Sequence, residues 1–415
     1  MAENLDRELL NDVFRAYFDA RRNKRNTINQ LEFEFNFEQN LIRLAAEIQE
    51  RTYKVDTCVC FIVNNPVKRE IFAASFRDRV VHHLIFNYIN PLFERKLIRD
   101  CYSCRKGLGT SDGIERIQHH LRSVTRNFTQ DAYVLKLDIQ GYFMSIDRRL
   151  LYDKVEHIVK SSRNRGAGRV DLELYLLKEV IFADPTENCR MKGGKGGWKG
   201  LPPSKSLFHS PEGCGLPIGN LTSQMFSNIY LADFDHYVKR TLKMKHYGRY
   251  VDDFYFMHTD KQRLLEVRDL VTEYLRDNYG LTVHPLKIYL QNVRNGVTFL
   301  GAHIKPYRNY VRKKTLGQMR KSIWRANDRL AKLNYNETLD TQTMEHMRSL
   351  LNSYFGYLGQ FKTHKLRKEI WRECDGFRRY FRCDSKILKI SPKEKRIASS
   401  AKDVHLFADL FPETE

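Results

Sequence analysis

Tyr250-Val251-Asp252-Asp253 is the stretch on which the reading of this chain turns. One aromatic residue, a spacer and two adjacent carboxylates separate two apolar-rich segments, residues 247–250 and 254–257. The flanks read as strands and the acids as the hairpin between them. Aspartate suits turns on its own account, so the tetrapeptide by itself fits an ordinary turn. Adjacent acids among apolar strands are nevertheless costly unless something positive offsets them. A divalent metal is the natural candidate, because hard cations take carboxylate oxygens. The two readings part on whether the rest of the chain supplies further carboxylates.

A chain of 415 residues can bury a large core and has room for two or three subdomains. Hydrophobic content of 42% with 12% aromatics is that of a folded protein. Lys and Arg total 71 against 50 acids, a net charge of +21, which suits a polyanionic partner such as nucleic acid. A basic solvated surface is the plainer account of the same number. No apolar run reaches the roughly 18–20 residues of a membrane span. The segment MAENLDRELLNDVF carries acids where a signal peptide would have a basic start and an apolar block. The expectation is a soluble, cytoplasmic protein without a membrane partner. Cys58/Cys60 and Cys101/Cys104 lie close in sequence, but no Cys/His array stands at zinc spacing, so the cysteines read as reduced thiols in packed strands.

Periodicity places helices over 5–18, 38–51, 76–98, 111–124, 148–160, 171–182, 220–240, 261–278, 314–333, 341–358 and 364–382. Residues 57–75 read as a hairpin turning at Asn64-Asn65-Pro66, and Tyr133 to Ile139 as a short buried strand. Two short strands are expected at 281–290 and 297–304. Residues 184–215, with MKGGKGGWKG, read as a long loop that is either a mobile surface insertion or a basic contact for nucleic acid. Residues 310–382 hold seventeen Lys or Arg and seven acids, with Tyr and Phe interleaved: a basic face suited to a phosphate backbone. The segment after 386 looks weakly structured.

The missing carboxylate is Asp138, 114 residues before Asp252, at the end of the buried strand in YVLKLDIQGYFMSID. Two metal ions about 3.5–4 Å apart need several shared carboxylates, and magnesium completes its oxygen octahedron with substrate phosphates. A strand-end acid beside a hairpin acid therefore reads as in-line phosphoryl or nucleotidyl transfer, in which positioning and charge neutralisation dominate.

The order of motifs is more specific. Asp138 with Phe143, GLPIGNLTSQ (215–224), YVDD, a Lys-bearing segment and VTFLG (297–301) follow one another as in reverse transcriptases. Upstream, VKREIFAASFRDRVVHHLI and CYSCRKGLGT resemble that family's fingers motifs. The resemblance covers residues 55–305 and implies an α+β right-hand polymerase: N-terminal helices and fingers over 1–130, palm over 131–305, helical thumb over 306–385, and a tail over 386–415. It implies Asp138, Asp252 and Asp253 as catalytic acids, and Asp138, Ile139, Asp252 and Asp253 around two Mg2+ ions, with Mn2+ as a substitute. Phe143 matches the position that bars a 2′-hydroxyl. Lys68, Arg69, Arg79, Ile218, Gly219, Gln224 and Lys287 fall where the family meets the nucleotide, Lys287 as proton donor to the leaving pyrophosphate. Arg105, Lys106, Phe299, Leu300, Gly301, Arg320, Lys321 and Arg325 are the expected nucleic-acid contacts, residues 298–301 resembling the primer grip.

One departure narrows the family. Many reverse transcriptases carry Gln before the Gly of this motif and Pro after the Ser, where this chain has Ile218-Gly219 and Ser223-Gln224. That form resembles bacterial enzymes of diversity-generating retroelements and of antiphage defence. It implies a dedicated noncoding RNA template, a cDNA product, dNTP substrates, an accessory protein or second polymerase subunit, and relaxed fidelity opposite template adenine. A noncatalytic RNA-binding scaffold with this fold, and template-independent or protein-primed synthesis, are the alternatives.

Overall fold

The computed structural model describes residues 5–22, 27–64, 67–162, 166–334 and 337–393. It is an α+β protein that divides into two compact units, residues 1–113 with 132–291, and residues 114–131 with 292–415. Asn65, Pro66, the link after Arg22 and the tail beyond Lys393 lie outside the described residues, so the hairpin turn and most of the tail are not settled by it.

The first unit is built on a four-stranded sheet in the order His246–Tyr250, Asp253–His258, Tyr133–Asp138, Tyr289–Asn292. Asp253–His258 buries Phe254, Tyr255, Phe256 and Met257 in succession, a continuous apolar run that fits a strand covered on both faces. It pairs antiparallel with Tyr133–Asp138 in a register that sets Asp138 opposite Asp253. Helices Arg7–Arg21, Phe37–Gln49, Phe76–Glu94, Arg148–Lys160, Ala167–Phe182, Leu221–Tyr230 and Lys261–Tyr279 share one core with this sheet. Ser75 caps Phe76–Glu94 by accepting from the Asp78 amide, which turns the chain from strand to helix.

A second sheet carries the hairpin, Cys58–Val63 with Arg69–Ala73, joined in parallel by Cys189–Met191. Residues 184–215 are therefore not a free excursion. They supply this strand, short 3₁₀ turns and the buried Ser206 and Leu207.

The second unit packs helices Lys313–Lys332, Thr341–Gly359, His364–Glu373 and Asp375–Tyr380 on a separate apolar core. Beside them run the strands Val297–Phe299, Ala302–Lys305 and Arg308–Val311. The helix expected over 364–382 is split at Cys374 (φ −92°, ψ 64°), and the Asn327 side chain accepts from the Phe377 amide to cap the second piece. The helix expected over 220–240 also breaks: Leu231 leaves helical geometry, and Ala232–His236 and the π-turn Tyr237–Thr241 follow. The strand expected over 281–290 is interrupted: Val283 forms one bridge with Ile139, Pro285 has no amide to carry that ladder further, and regular pairing resumes only at Tyr289–Asn292. No described helix is long and apolar enough to cross a membrane.

Candidate active site

The turn between the hairpin strands is Val251-Asp252, since Asp253 already pairs with Tyr250 and Asp138. Val251 sits at φ +57°, uncommon for a β-branched residue. Arg249 holds it there. Its guanidinium is fully buried, donates to the Val251 carbonyl at 3.0 Å and to the Asn228 carbonyl at 3.0 Å, and pairs with Asp235 at 2.6 Å. The Tyr247 hydroxyl donates to the same Asp235 at 2.6 Å. On the other side, the Val251 amide donates to Ser103 Oγ at 3.2 Å, and Ser103 in turn donates to Asn228 at 2.8 Å. The CYSC segment is thus built into the turn.

Asp252 is drawn to the end of the central strand, where its carbonyl accepts from the Ile139 amide at 3.2 Å. Asp138, Asp252 and Asp253 consequently share one end of the sheet. Burial, then the neighbouring Asp138 charge and to a lesser degree Asp253, push the Asp252 carboxyl up to about 6. Burial also raises Asp253, against the opposing charge of Lys136, whose Nζ lies 3.3 Å away. Lys287 Nζ reaches Asp138 Oδ1 at 2.6 Å. Among the described residues no group of three or more His, Cys, Asp or Glu is arranged as a metal cage; two lysines lie against two of the three acids.

Phe143 lies in the 3₁₀ turn Tyr142–Met144, five residues beyond Asp138, half-buried. Its carbonyl accepts from the Leu216 amide at 2.8 Å, while the Ile218 carbonyl accepts from the Phe72 amide at 2.9 Å. Segment 215–219 thereby links the Phe143 turn to the hairpin. Gly219 is needed there: at φ +124° a Cβ would come within 3.0 Å of Ile71 and 3.1 Å of the Phe72 carbonyl. Gln224 is exposed and accepts from Cys104 Sγ at 3.3 Å.

The expected cations divide. Arg69 and Lys106 are exposed, and Lys68 Nζ donates to the Lys199 carbonyl at 2.7 Å. Arg79 is half-buried, donates to the Ala74 carbonyl at 3.0 Å, and has its pKa lowered by burial. Arg105 is turned inward: with 10% of its side chain exposed, it donates to Glu94 and to the Ile98 and Cys101 carbonyls. These bonds staple its own loop. In the second unit, Arg320, Lys321 and Arg325 are exposed on Lys313–Lys332, opposite the buried Met319, Ile323 and Ala326. Leu300 (φ 48°) and Gly301 (φ 80°) form a turn, but the Phe299 ring is buried and offers no surface for contact.

Sequence reasoning passed over Lys136, Arg249, Asp235 and Glu70. The first has a signal, a lysine inside an otherwise apolar strand. The buried pair Arg249–Asp235 has none, since its partners lie fourteen residues apart across a broken helix.

The family described as reverse transcriptase (RNA-dependent DNA polymerase) matches residues 67–304. None of the curated proteins compared with the chain matches it. Among solved structures, the chain is similar to apo telomerase from Candida tropicalis truncated from its C-terminal domain, at 15% identity and TM-score 0.42, covering 61% of this chain and 55% of that one. It is similar also to telomerase from Candida albicans in complex with a TWJ fragment of telomeric RNA, at 13% identity and TM-score 0.45, covering 83% and 62%. For full apo telomerase from Candida tropicalis the figures are 12%, 0.46, 78% and 62%. The chain thus spans 55% to 62% of the length of these telomerase chains. The family match takes in the strand Arg69–Ala73, Asp138, segment 215–224 and the YVDD turn, more than half of the 415 residues, and the chain belongs to the reverse transcriptase family.

Proposed function

We propose that this protein is an RNA-directed DNA polymerase that copies a cognate noncoding RNA into cDNA by two-metal nucleotidyl transfer. The convergence of Asp138, Asp252 and Asp253 at one sheet end, inside the matched segment, carries the reading. The domain assignment that goes with it is N-terminal helices and fingers over 1–130, palm over 131–305, helical thumb over 306–385 and a tail over 386–415.

The donor set suits a hard divalent cation: carboxylates on two neighbouring strands, without thiol or imidazole. Asp252, its ionised form disfavoured by burial and then by the neighbouring Asp138, is a carboxylate that a cation would stabilise. Asp138 and Asp252 would hold magnesium, or manganese in its place, with Ile139 and Asp253 alongside. Bound there, the metals neutralise phosphate charge and favour ionisation of the attacking hydroxyl. The chain's own residues do the rest. Phe143 and Ile218 wall the sugar and base, with Gly219 and Gln224 beside them. Lys68, Arg69 and Arg79 face the triphosphate, and Lys287 holds a proton at Nζ for the leaving pyrophosphate. Lys106, the Leu300-Gly301 turn, Arg320, Lys321 and Arg325 grip the nucleic-acid backbone.

Ile218-Gly219 and Ser223-Gln224 support placement with bacterial enzymes of diversity-generating retroelements or antiphage defence, in the cytoplasm, working with an accessory protein or second polymerase subunit. Asp252→Ala combined with Asp253→Ala tests the reading. Magnesium-dependent dNTP incorporation on a primed RNA should vanish while RNA binding and the unfolding midpoint persist. Polymerisation retained by the double variant refutes the role of these acids, and its absence from the wild type leaves an RNA-binding scaffold.

A further inference from the structure

Glu70 stands in the strand Arg69–Ala73 with no exposed surface. Three donors converge on its carboxylate, all from segment 184–215. Trp198 Nε1 donates to Oε1 at 2.7 Å, Ser206 Oγ to Oε1 at 2.9 Å, and the Leu207 amide to Oε2 at 2.6 Å. A buried carboxylate is tolerated only when its oxygens are satisfied in this way, and removing one donor exposes the cost of the rest.

The knot closes a small core. Leu207 packs with Cys58, Cys60, Phe72 and Met144, and both Phe143 and Ile218 lie against that cluster. The Phe72 and Phe208 rings are 5.6 Å apart. The segment also presses on the turn after Asp138: Gly141, at φ +59°, would place a Cβ 2.7 Å from the Ser204 carbonyl. Leu216 and Ile218 are already bonded to the Phe143 turn and to the hairpin. Hairpin, Phe143 turn and segment 215–219 thus share one small interior, and residues 198–208 are its outer wall.

We propose that Glu70 is a positioning residue for nucleotide selection. By holding Trp198, Ser206 and Leu207 against the hairpin, it fixes the distance between Phe143 and Ile218, and so the space open to the sugar and base of the incoming nucleotide. This rests on the polymerase reading above. Glu70 does not touch the nucleotide, so loosening the knot enlarges the pocket without removing a group that takes part in the chemistry. The signature is a change in nucleotide KM and in sugar discrimination with kcat preserved. A merely structural role would instead lower the amount of folded enzyme and leave both ratios unmoved.

The test uses the full chain with Trp198→Phe, which keeps a ring and removes the donor, Ser206→Ala, and their combination, beside Glu70→Gln. Primer extension with dNTPs and rNTPs is read together with hydrogen exchange at the Leu207 amide. The double variant should raise the dNTP KM about tenfold with kcat within about twofold, and shrink the dNTP-over-rNTP preference by about tenfold. The Leu207 amide should lose protection in step. Unchanged KM and sugar preference in a double variant whose Leu207 amide has become unprotected overturn the proposal, since the knot would then be open without consequence. Wild-type activity in the same assay keeps that failure distinct from failure of the polymerase reading, and Trp198→Phe, the mildest change, supplies a folded variant if Glu70→Gln does not fold.

Discussion

Arg249→Met separates stability from catalytic geometry. In the native protein the Arg249–Asp235 pair is 2.6 Å apart and neither side chain is exposed. Removing the guanidinium strands Asp235 in the interior with the Tyr247 hydroxyl as its remaining described donor. Breaking a buried pair this way costs about 3–5 kcal/mol, against a total stability of order 5–15 kcal/mol. Arg249 also donates to the Val251 carbonyl, so the same change releases a turn whose left-handed residue costs about 1–2 kcal/mol to maintain. The two consequences come apart in a second variant. Asp235→Leu combined with Arg249→Met replaces the pair by apolar side chains of similar volume and should recover most of the lost stability. It should not recover primer extension, because the Val251 carbonyl still lacks its Arg249 donor and Asp252 moves with it. Urea unfolding gives the first quantity and single-turnover extension, below the unfolding midpoint of each variant, the second. A loss under about 1 kcal/mol for Arg249→Met would mean that the interior tolerates a lone Asp235, and wild-type extension by the double variant would mean that Arg249 has no part in placing Asp252. Either result refutes the reasoning.

Three further outcomes are expected. Ile218→Gln should reduce misincorporation opposite template adenine, scored by sequencing cDNA from a mixed-sequence RNA; an adenine error rate unchanged by the substitution, with no excess in the wild type, removes the fidelity reading. Lys287→Ala should lower kcat by about 10²-fold or more with little change in nucleotide KM, the range for loss of a positioned proton donor; near-wild-type kcat in Lys287→Arg, which keeps the charge but yields its proton poorly, would point to charge rather than proton transfer. His82 is buried with Nδ1 2.6 Å from Thr222 Oγ1, and desolvation pushes it down to about 3 against an unfolded value near 6.5. The unfolded chain takes up the proton first, so this contribution is complete above pH ~6.5 and is lost as pH falls towards ~3, by up to about 1.4 kcal/mol per pH unit. Asp252, raised to about 6, acts in the opposite sense, so the measurement is the difference between wild type and His82→Gln in urea unfolding from pH 4 to 8; identical slopes would discard the assignment.

What the sequence disclosed follows from range. Helices 148–160 and 261–278 carry their own period and appear as Arg148–Lys160 and Lys261–Tyr279. The hairpin strands declare themselves by composition and a local turn, and the order Asp138, Phe143, Ile218, Asp252 is a linear property. Side-chain commitments made across the fold are not. Arg105 looks like a free loop cation, but its partners Glu94 and the Ile98 carbonyl are fixed only by the fold. Segment 184–215 looks like an open glycine-rich loop because the group that fastens it, Glu70, is more than a hundred residues upstream. Pro285 was visible from the start, but its effect depended on where Ile139 would meet the chain.

The parallel strand Cys189–Met191 and the donors to Glu70 set a timetable as well as a shape. The hairpin can close as soon as residue 73 has been made, yet Leu207, which completes the Glu70 knot, is 137 residues further along than its acceptor. At the pace of synthesis, about 5–20 residues per second, that is a wait on the order of ten seconds. Through that interval the nascent hairpin carries an unpaired strand edge and a carboxylate without its donors. This side of the core is begun first and finished late, and it is there that a chaperone would find an incomplete fold to act upon.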